Sequence, residues 1–366
     1  MQTDIAIIGG GLSGLALARH LARNLAREGC DFQLFEARSR FGGRIHSLQH
    51  DGAAFDLGPA WFWPGQHRIA ALAEALGLER FDQYAKGAVS YESETGEVFR
   101  NMGFASMQGS WRLKRGMGSL IKGLAEQLPS ERLHLDHEVQ AITQPGEIRF
   151  RSGQRWQARK IILALPPRLA AEISFTPALS REQLRALQNI PTWMGGHAKF
   201  VALYKDAFWR EAGLSGDAMS RSGPLAEIHD ASAPGALSGQ KPEPASPAAL
   251  FGFVGTSAVA RQGQGQEAKL TRAALAQLSR IFGPQAAHPI KTVLQDWAQD
   301  RHTATPRDLI PPNQHPAYGL PVALHSIWGG RLSLCVSEVA PEMGGYLEGA
   351  LAAAEQTAAD MKKELI

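Results

Sequence analysis

Asp4-Ile5-Ala6-Ile7-Ile8-Gly9-Gly10-Gly11-Leu12-Ser13-Gly14 runs an apolar strand into a cluster of glycines. Gly9, Gly11 and Gly14 fit the G-x-G-x-x-G spacing, and apolar residues at helical intervals follow from Leu12. The spacing has a physical reading: a tight turn at the first glycine, close backbone approach to a pyrophosphate at the second, and close helix–strand packing at the third. A helix starting at Leu12 turns its free N–H groups and positive dipole end toward those phosphates. Working outward, the second apolar strand, Asp31 to Phe35, ends in Glu36, 22 residues past Gly14, near the spacing of a ribose-binding carboxylate. Gly42-Gly43-Arg44 then brings more bare backbone and a cation toward the same diphosphate.

The bulk composition is that of an ordinary globular chain. In 366 residues, 44% are hydrophobic and 20% charged, and the net charge of +3 is spread without a basic stripe, which argues against a nucleic-acid partner. Length predicts about two domains. The two cysteines, Cys30 and Cys335, sit beside or within apolar strands and read as core thiols, with neither metal spacing nor need of a disulfide. No apolar run is long enough to span a membrane, and the Rossmann strand stands at the very start, so a cytoplasmic protein is expected. The twelve histidines show no ligand spacing and are taken as ordinary surface or core residues.

Along the chain, helices are expected at Leu12–Glu28, Arg68–Leu76, Gly116–Leu128, Glu267–Phe282 and from Gly344-Gly345-Tyr346 to about Glu364. Val89 and Phe99 belong to a hairpin turning at Glu94-Thr95-Gly96. Gln157–Arg159 and Lys160–Leu165 read as separate strands, and Ala231–Pro247, rich in Ala, Ser, Gly and Pro, reads as a surface loop. Between Phe55 and Trp63 four large rings accompany Gly58 and Pro59. That suits either a loop over a flat aromatic ligand or a core cluster at a domain boundary. Lys199, in the alternating run His197–Tyr204, belongs either on the wet face of an edge strand or in a buried, functional position.

These stretches together resemble the flavin-dependent amine oxidases, a superfamily of monoamine, polyamine and L-amino-acid oxidases. The resemblance rests on Ile8–Leu15, Glu36-Ala37-Arg38 with Gly42-Gly43-Arg44, Asp56-Leu57-Gly58, and Ser337-Glu338 with Gly344–Ala350, in the family's order. It implies non-covalent FAD, since no cysteine stands where one would attach the flavin. Gly9, Gly11, Leu12, Ser13, Gly14, Arg38, Gly43 and Arg44 would then hold phosphates or ribityl chain, and Glu36 the adenosine ribose. Val139 would contact adenine through its backbone, while Gly58, Ala60 and Trp61 would pass the isoalloxazine ring. Trp297 would flank the flavin, with Glu338, Gly345 and Leu347 near the ribityl chain and pyrimidine edge. Lys199 would reach flavin N5 through a water. Tyr346 would form half of an aromatic pair around an amine nitrogen; no tyrosine stands in the stretch after Trp297 up to Arg307 to be the other half.

The fold so implied is α/β, a parallel Rossmann-type sheet with an inserted, discontinuous α+β substrate domain. Residues 1–80, 116–179 and 300–366 would bind FAD; 81–115 and 180–299 would bind substrate. Only about 30 residues lie between Phe81 and Trp111, where the family carries a long helical insertion, which predicts a shallow or open substrate site. The implied reaction oxidises the C–N bond of an amine or amino acid to an imine, with O2 or another acceptor as electron sink. Two alternatives remain open from the sequence: a flavoenzyme of another substrate class (dihydronicotinamide, carotenoid or porphyrinogen), and a non-catalytic FAD-binding protein.

Overall fold

A computed structural model describes residues 1–24, 30–234 and 247–365. The strand Gln2–Ile8 lies at the centre of an eight-stranded sheet. It pairs in parallel with Phe32–Phe35 on one side and Arg155–Leu163 on the other, in the register Ile8↔Phe35 and Ile8↔Leu163. Leu133–His134 extends the parallel order past Phe32–Phe35. Parallel strands covered on both faces read as unbroken apolar runs, and Phe32–Phe35 is buried at every residue. The helix Leu12–Asn24 covers one face, together with Gly118–Glu126 and the C-terminal helix Leu347–Leu365. Leu15, Leu17 and Leu21 are buried there, each worth roughly 1.5–3 kcal/mol of transfer free energy.

Arg155–Leu163 is one strand where two were expected. Its first half pairs antiparallel with Glu147–Phe150, and its second half pairs in parallel with Leu332–Leu334. A change of neighbour midway, with Arg155, Arg159 and Lys160 still on the strand, mimics a break in the sequence.

A seven-stranded sheet runs in the order Lys291–Asp296, Ala198–Tyr204, Ala248–Val254, Leu225–Asp230, Leu214–Ser220, Ala88–Glu92, Val98–Arg100. Period-two alternation sorts its faces. Ala198, Phe200, Ala202 and Tyr204 pack under the helix Gln266–Phe282, while Val201 and Leu203 pack with Phe251 and Trp61. Lys199, one residue off the helix-facing set, therefore lies on the Trp61 side. Of the loop expected over Ala231–Pro247, residues 235–246 fall outside the described residues, and Ala231, Ser232 and Ala233 are buried. Residues 25–28 of the first expected helix also fall outside the description. Among the described residues no helix is long and apolar enough to cross a membrane.

Candidate active site

The turn after Gln2–Ile8 shows why its glycines are there. Gly9 has φ +117°, and a Cβ on it would lie 2.3 Å from the Ala164 carbonyl oxygen. A Cβ on Gly14 would lie 2.0 Å from the Gly9 oxygen. Both positions are closed by backbone. A Cβ on Gly11 would meet nothing within 4 Å. Gly11 instead lines a cavity of about 1010 Å³ that runs on past Leu12, Ser13, Glu36, Arg38, Gly43, Arg44 and Val139 to Gly58, Ala60, Trp61, Lys199, Trp297, Gly345, Tyr346 and Leu347. Gly14 sits behind the turn, and Glu338 is fully buried behind Arg44; these two sequence-predicted residues are not on the cavity wall.

Each end of the cavity has its own chemistry. At the glycine turn, Glu36 is buried; its Oε2 accepts from the Gly10 N–H at 2.8 Å and its Oε1 from the Arg38 N–H at 2.9 Å. The carboxylate keeps lone pairs for hydroxyl donors. Arg38 donates to Asp300 at 2.8 Å and Thr303 at 2.9 Å. Arg44 and Glu338 form a two-point pair at 2.6 and 3.0 Å. Burial alone would raise the Glu338 carboxyl, but Arg44 outweighs it and holds the group below the usual carboxylate range. Bare backbone at a helix start, a buried carboxylate beside it and an apolar far end fit a dinucleotide carrying a flat ring.

At the far end, Lys199 is 3% exposed, on a strand flanked by two others. The wet-edge alternative is thereby excluded. Lys199 Nζ donates to the carbonyls of Asp56 (3.1 Å) and Gly58 (2.7 Å) and sits 4.2 Å from the Phe251 ring centroid. Burial lowers its pKa to about 7; the nearby Asp56 opposes and Arg112 reinforces that fall. Trp297 donates its indole N–H to the Leu57 carbonyl at 3.1 Å, which fixes the loop carrying Gly58.

Sequence reasoning missed several residues. The rings beside Tyr346 are His315, stacked at 5.0 Å, and Trp193 at 6.4 Å. One lies beyond the stretch searched after Trp297, and the other lies on the chain entering the Lys199 strand. The histidines are not all ordinary: His137, His197 and His302 line the cavity. The Nδ1 of His197 is buried without a partner, and burial, reinforced by Arg261, lowers its pKa. Glu227 also lines the cavity, on a strand whose polar inward residues hid it.

Comparison with known proteins agrees with this geometry. The family profile described as flavin containing amine oxidoreductase matches residues 79–362, and an NAD(P)-binding Rossmann-like domain profile matches residues 7–76. The probable flavin-containing monoamine oxidase A of Dictyostelium discoideum is 21% identical, with 99% of this chain and 98% of that protein aligned. The flavin-containing amine oxidase A of Sus scrofa is 24% identical over 100% of this chain and 86% of its own. Among solved structures, wild-type putrescine oxidase bound to putrescine superposes with a TM-score of 0.77 at 22% identity, covering 99% of both chains. Cyclohexylamine oxidase from Brevibacterium oxydans superposes with a TM-score of 0.77 at 21% identity, again over 99% of both. With the profile spanning most of its length, the chain belongs to the flavin-containing amine oxidoreductases and is an FAD-dependent enzyme.

Proposed function

We propose that the protein oxidises the C–N bond of an amine that carries no carboxylate, giving an imine that water hydrolyses to a carbonyl. One observation carries the choice of amine over amino acid. Every arginine on the cavity wall already has a carboxylate partner: Arg38 with Asp300, Arg44 with Glu338, Arg261 with Asp296, and Arg151 and Arg301 with Glu138. Lys199 spends two of its donors on backbone carbonyls. Arg151 and Arg301 share the one carboxylate of Glu138, next to Val139 and away from Lys199 and Trp61, so a substrate carboxylate at the ring end would find no guanidinium among the described residues in want of a counter-charge, whereas an amine finds ring faces. The structural neighbours named for putrescine and cyclohexylamine point the same way.

The chemistry the bound cofactor supplies is two-electron acceptance at flavin N5, with dioxygen restoring it and yielding hydrogen peroxide. The chain's own residues do the rest. Residues 1–80, 116–179 and 300–366 form the cofactor-holding part, and 81–115 with 180–299 the substrate part. Gly11, Ser13, Arg38 and Arg44 hold the phosphates and ribityl chain, Glu36 the ribose, and Val139 the adenine. Gly58, Ala60, Trp61 and Trp297 bound the flat ring, with Gly345 and Leu347 at its polar edge. No side chain is bonded to the cofactor. Tyr346 and Trp193 orient the amine. The substrate must react as the neutral amine, because an ammonium resists loss of a hydride. As the ammonium, Lys199 keeps one N–H donor for a water beside the reacting centre.

The test is anaerobic. The yellow protein is mixed with panels of amines, amino acids and reduced nicotinamides, and the visible flavin band is followed. Bleaching by amines, with peroxide on readmission of air, is the expected result. Bleaching by amino acids or dihydronicotinamides alone would overturn the reading.

A further inference from the structure

Beside Trp61 the cavity wall carries a charged cluster that oxidation of one C–N bond does not use. Glu227 and Lys199 stand in one row of the seven-stranded sheet, each the register partner of Phe253 on opposite sides. Two strand spacings separate their backbones by about 10 Å. Glu227 lines the cavity, with its side chain 26% exposed. Its Oε1 accepts from Ser106 Oγ at 2.5 Å and lies 3.0 Å from His229 Nε2. Oε2 has no protein donor among the described residues.

Behind it, His229 is 1% exposed, and its Nδ1 lies 2.7 Å from Asp217 Oδ1. A ring with a carboxylate oxygen at each nitrogen satisfies both as the imidazolium. Burial pulls the His229 pKa down, but the bonds to Asp217 and Glu227 outweigh it and hold the ring above its ordinary value. The same bond from His229 holds Glu227 below the usual carboxylate range. Trp61 and Phe251, with ring centroids at 5.1 and 5.3 Å, pack against the imidazole. Burial raises the Asp217 carboxyl against the opposing bond from His229, and the Asp217 Oδ2 is buried without a partner among the described residues, whereas Glu227 is the member of the cluster that reaches the cavity. The bond from His229 keeps Glu227 ionised, with Oε2 left over for a donor in the cavity.

We propose that Glu227, fixed by the buried Asp217–His229 pair, is a subsite for a second positive charge on the substrate, so that α,ω-diamines and similar dications are the preferred class. His229 is then a positioning residue. The oxidation of such a substrate rests on the amine reading above; its capture does not.

The experiment compares α,ω-diamines of rising chain length with the monoamine of each length, on the FAD-loaded protein. At one length the diamine should show a KM lower by about 10- to 100-fold at similar kcat, the range of one hydrogen bond to a charged group. Glu227→Gln should erase that difference by raising the diamine KM far more than the monoamine KM. Glu227→Asp should recover part of it, and His229→Gln should raise the diamine KM selectively. Equal losses on both substrates, or no diamine preference at any length, would overturn the subsite. Should no amine reduce the flavin, the reaction assignment fails by itself. Calorimetric titration of the same diamines against wild type and Glu227→Gln then still decides: binding lost in the variant upholds the subsite, and equal binding overturns it.

Discussion

Gly9, Gly11 and Gly14 are one motif with two different duties. The first and third cannot accept a Cβ because backbone oxygens stand 2.3 and 2.0 Å away. The middle one can, and the space it would fill is the cavity. Gly11→Val is therefore expected to fold and to purify colourless, with native far-ultraviolet circular dichroism and no flavin absorbance; a fully yellow variant would refute the placement of the phosphates. Spacing alone marked the second glycine for the pyrophosphate; what it could not show is that Ala164, far along the chain, supplies the carbonyl that closes Gly9. Lys199 makes a second prediction. Its pKa is about 7 in the fold, against an ordinary value of 10.5. Between those values the unfolded chain holds a proton that the folded protein has released, so stability rises with pH across the window. Below about pH 7 the folded protein carries the full penalty of burying the cation. Lys199→Met should be stabilised relative to wild type most at and below neutral pH, and the gap should narrow toward pH 10. Melting temperatures of both proteins against pH measure it.

The segment Ser337–Val339 and the loop after Gly43 meet through Arg44 and Glu338, residues 294 apart in the chain. Each stood out in the sequence, but their pairing did not, because a contact between distant segments leaves no local pattern. The pair is buried on the Glu338 side and half-buried on the other. Glu338→Gln leaves a guanidinium without its counter-charge and is expected to cost about 3 kcal/mol. The double replacement Arg44→Met with Glu338→Leu should recover much of that, since it removes both charges together. Thermal or urea unfolding of the single and double variants checks the coupling. The strands Leu214–Ser220 and Leu225–Asp230 were missed for a related reason: Ser215, Asp217, His229 and Asp230 are buried polar residues that erase the apolar alternation. The polarity that hid these strands is the polarity that gives the cavity its charged wall.

At the scale of the molecule, the parallel part of the first sheet was legible because Ile5–Ile8 and Ile161–Leu163 are apolar runs and its turn is glycine-marked. The seven-stranded sheet was read only in part. Ala198–Tyr204 and Ala248–Val254 alternate cleanly, while their partners gain meaning only once paired. The rings of Phe251, Phe253 and Trp61 gather around Lys199 although only a short stretch separates Phe81 from Trp111. One feature of this layout reaches beyond the finished molecule. The glycine turn belongs to the first strand, while Leu332–Leu334 completes the sheet beside it and Leu347–Leu365 covers its first helix. On the ribosome the turn emerges well before the strand and helix that close it. In that interval the nascent chain carries half a nucleotide cradle, with the place for a strand vacant beside Ile161–Leu163. That is when the chain most needs shielding from other chains.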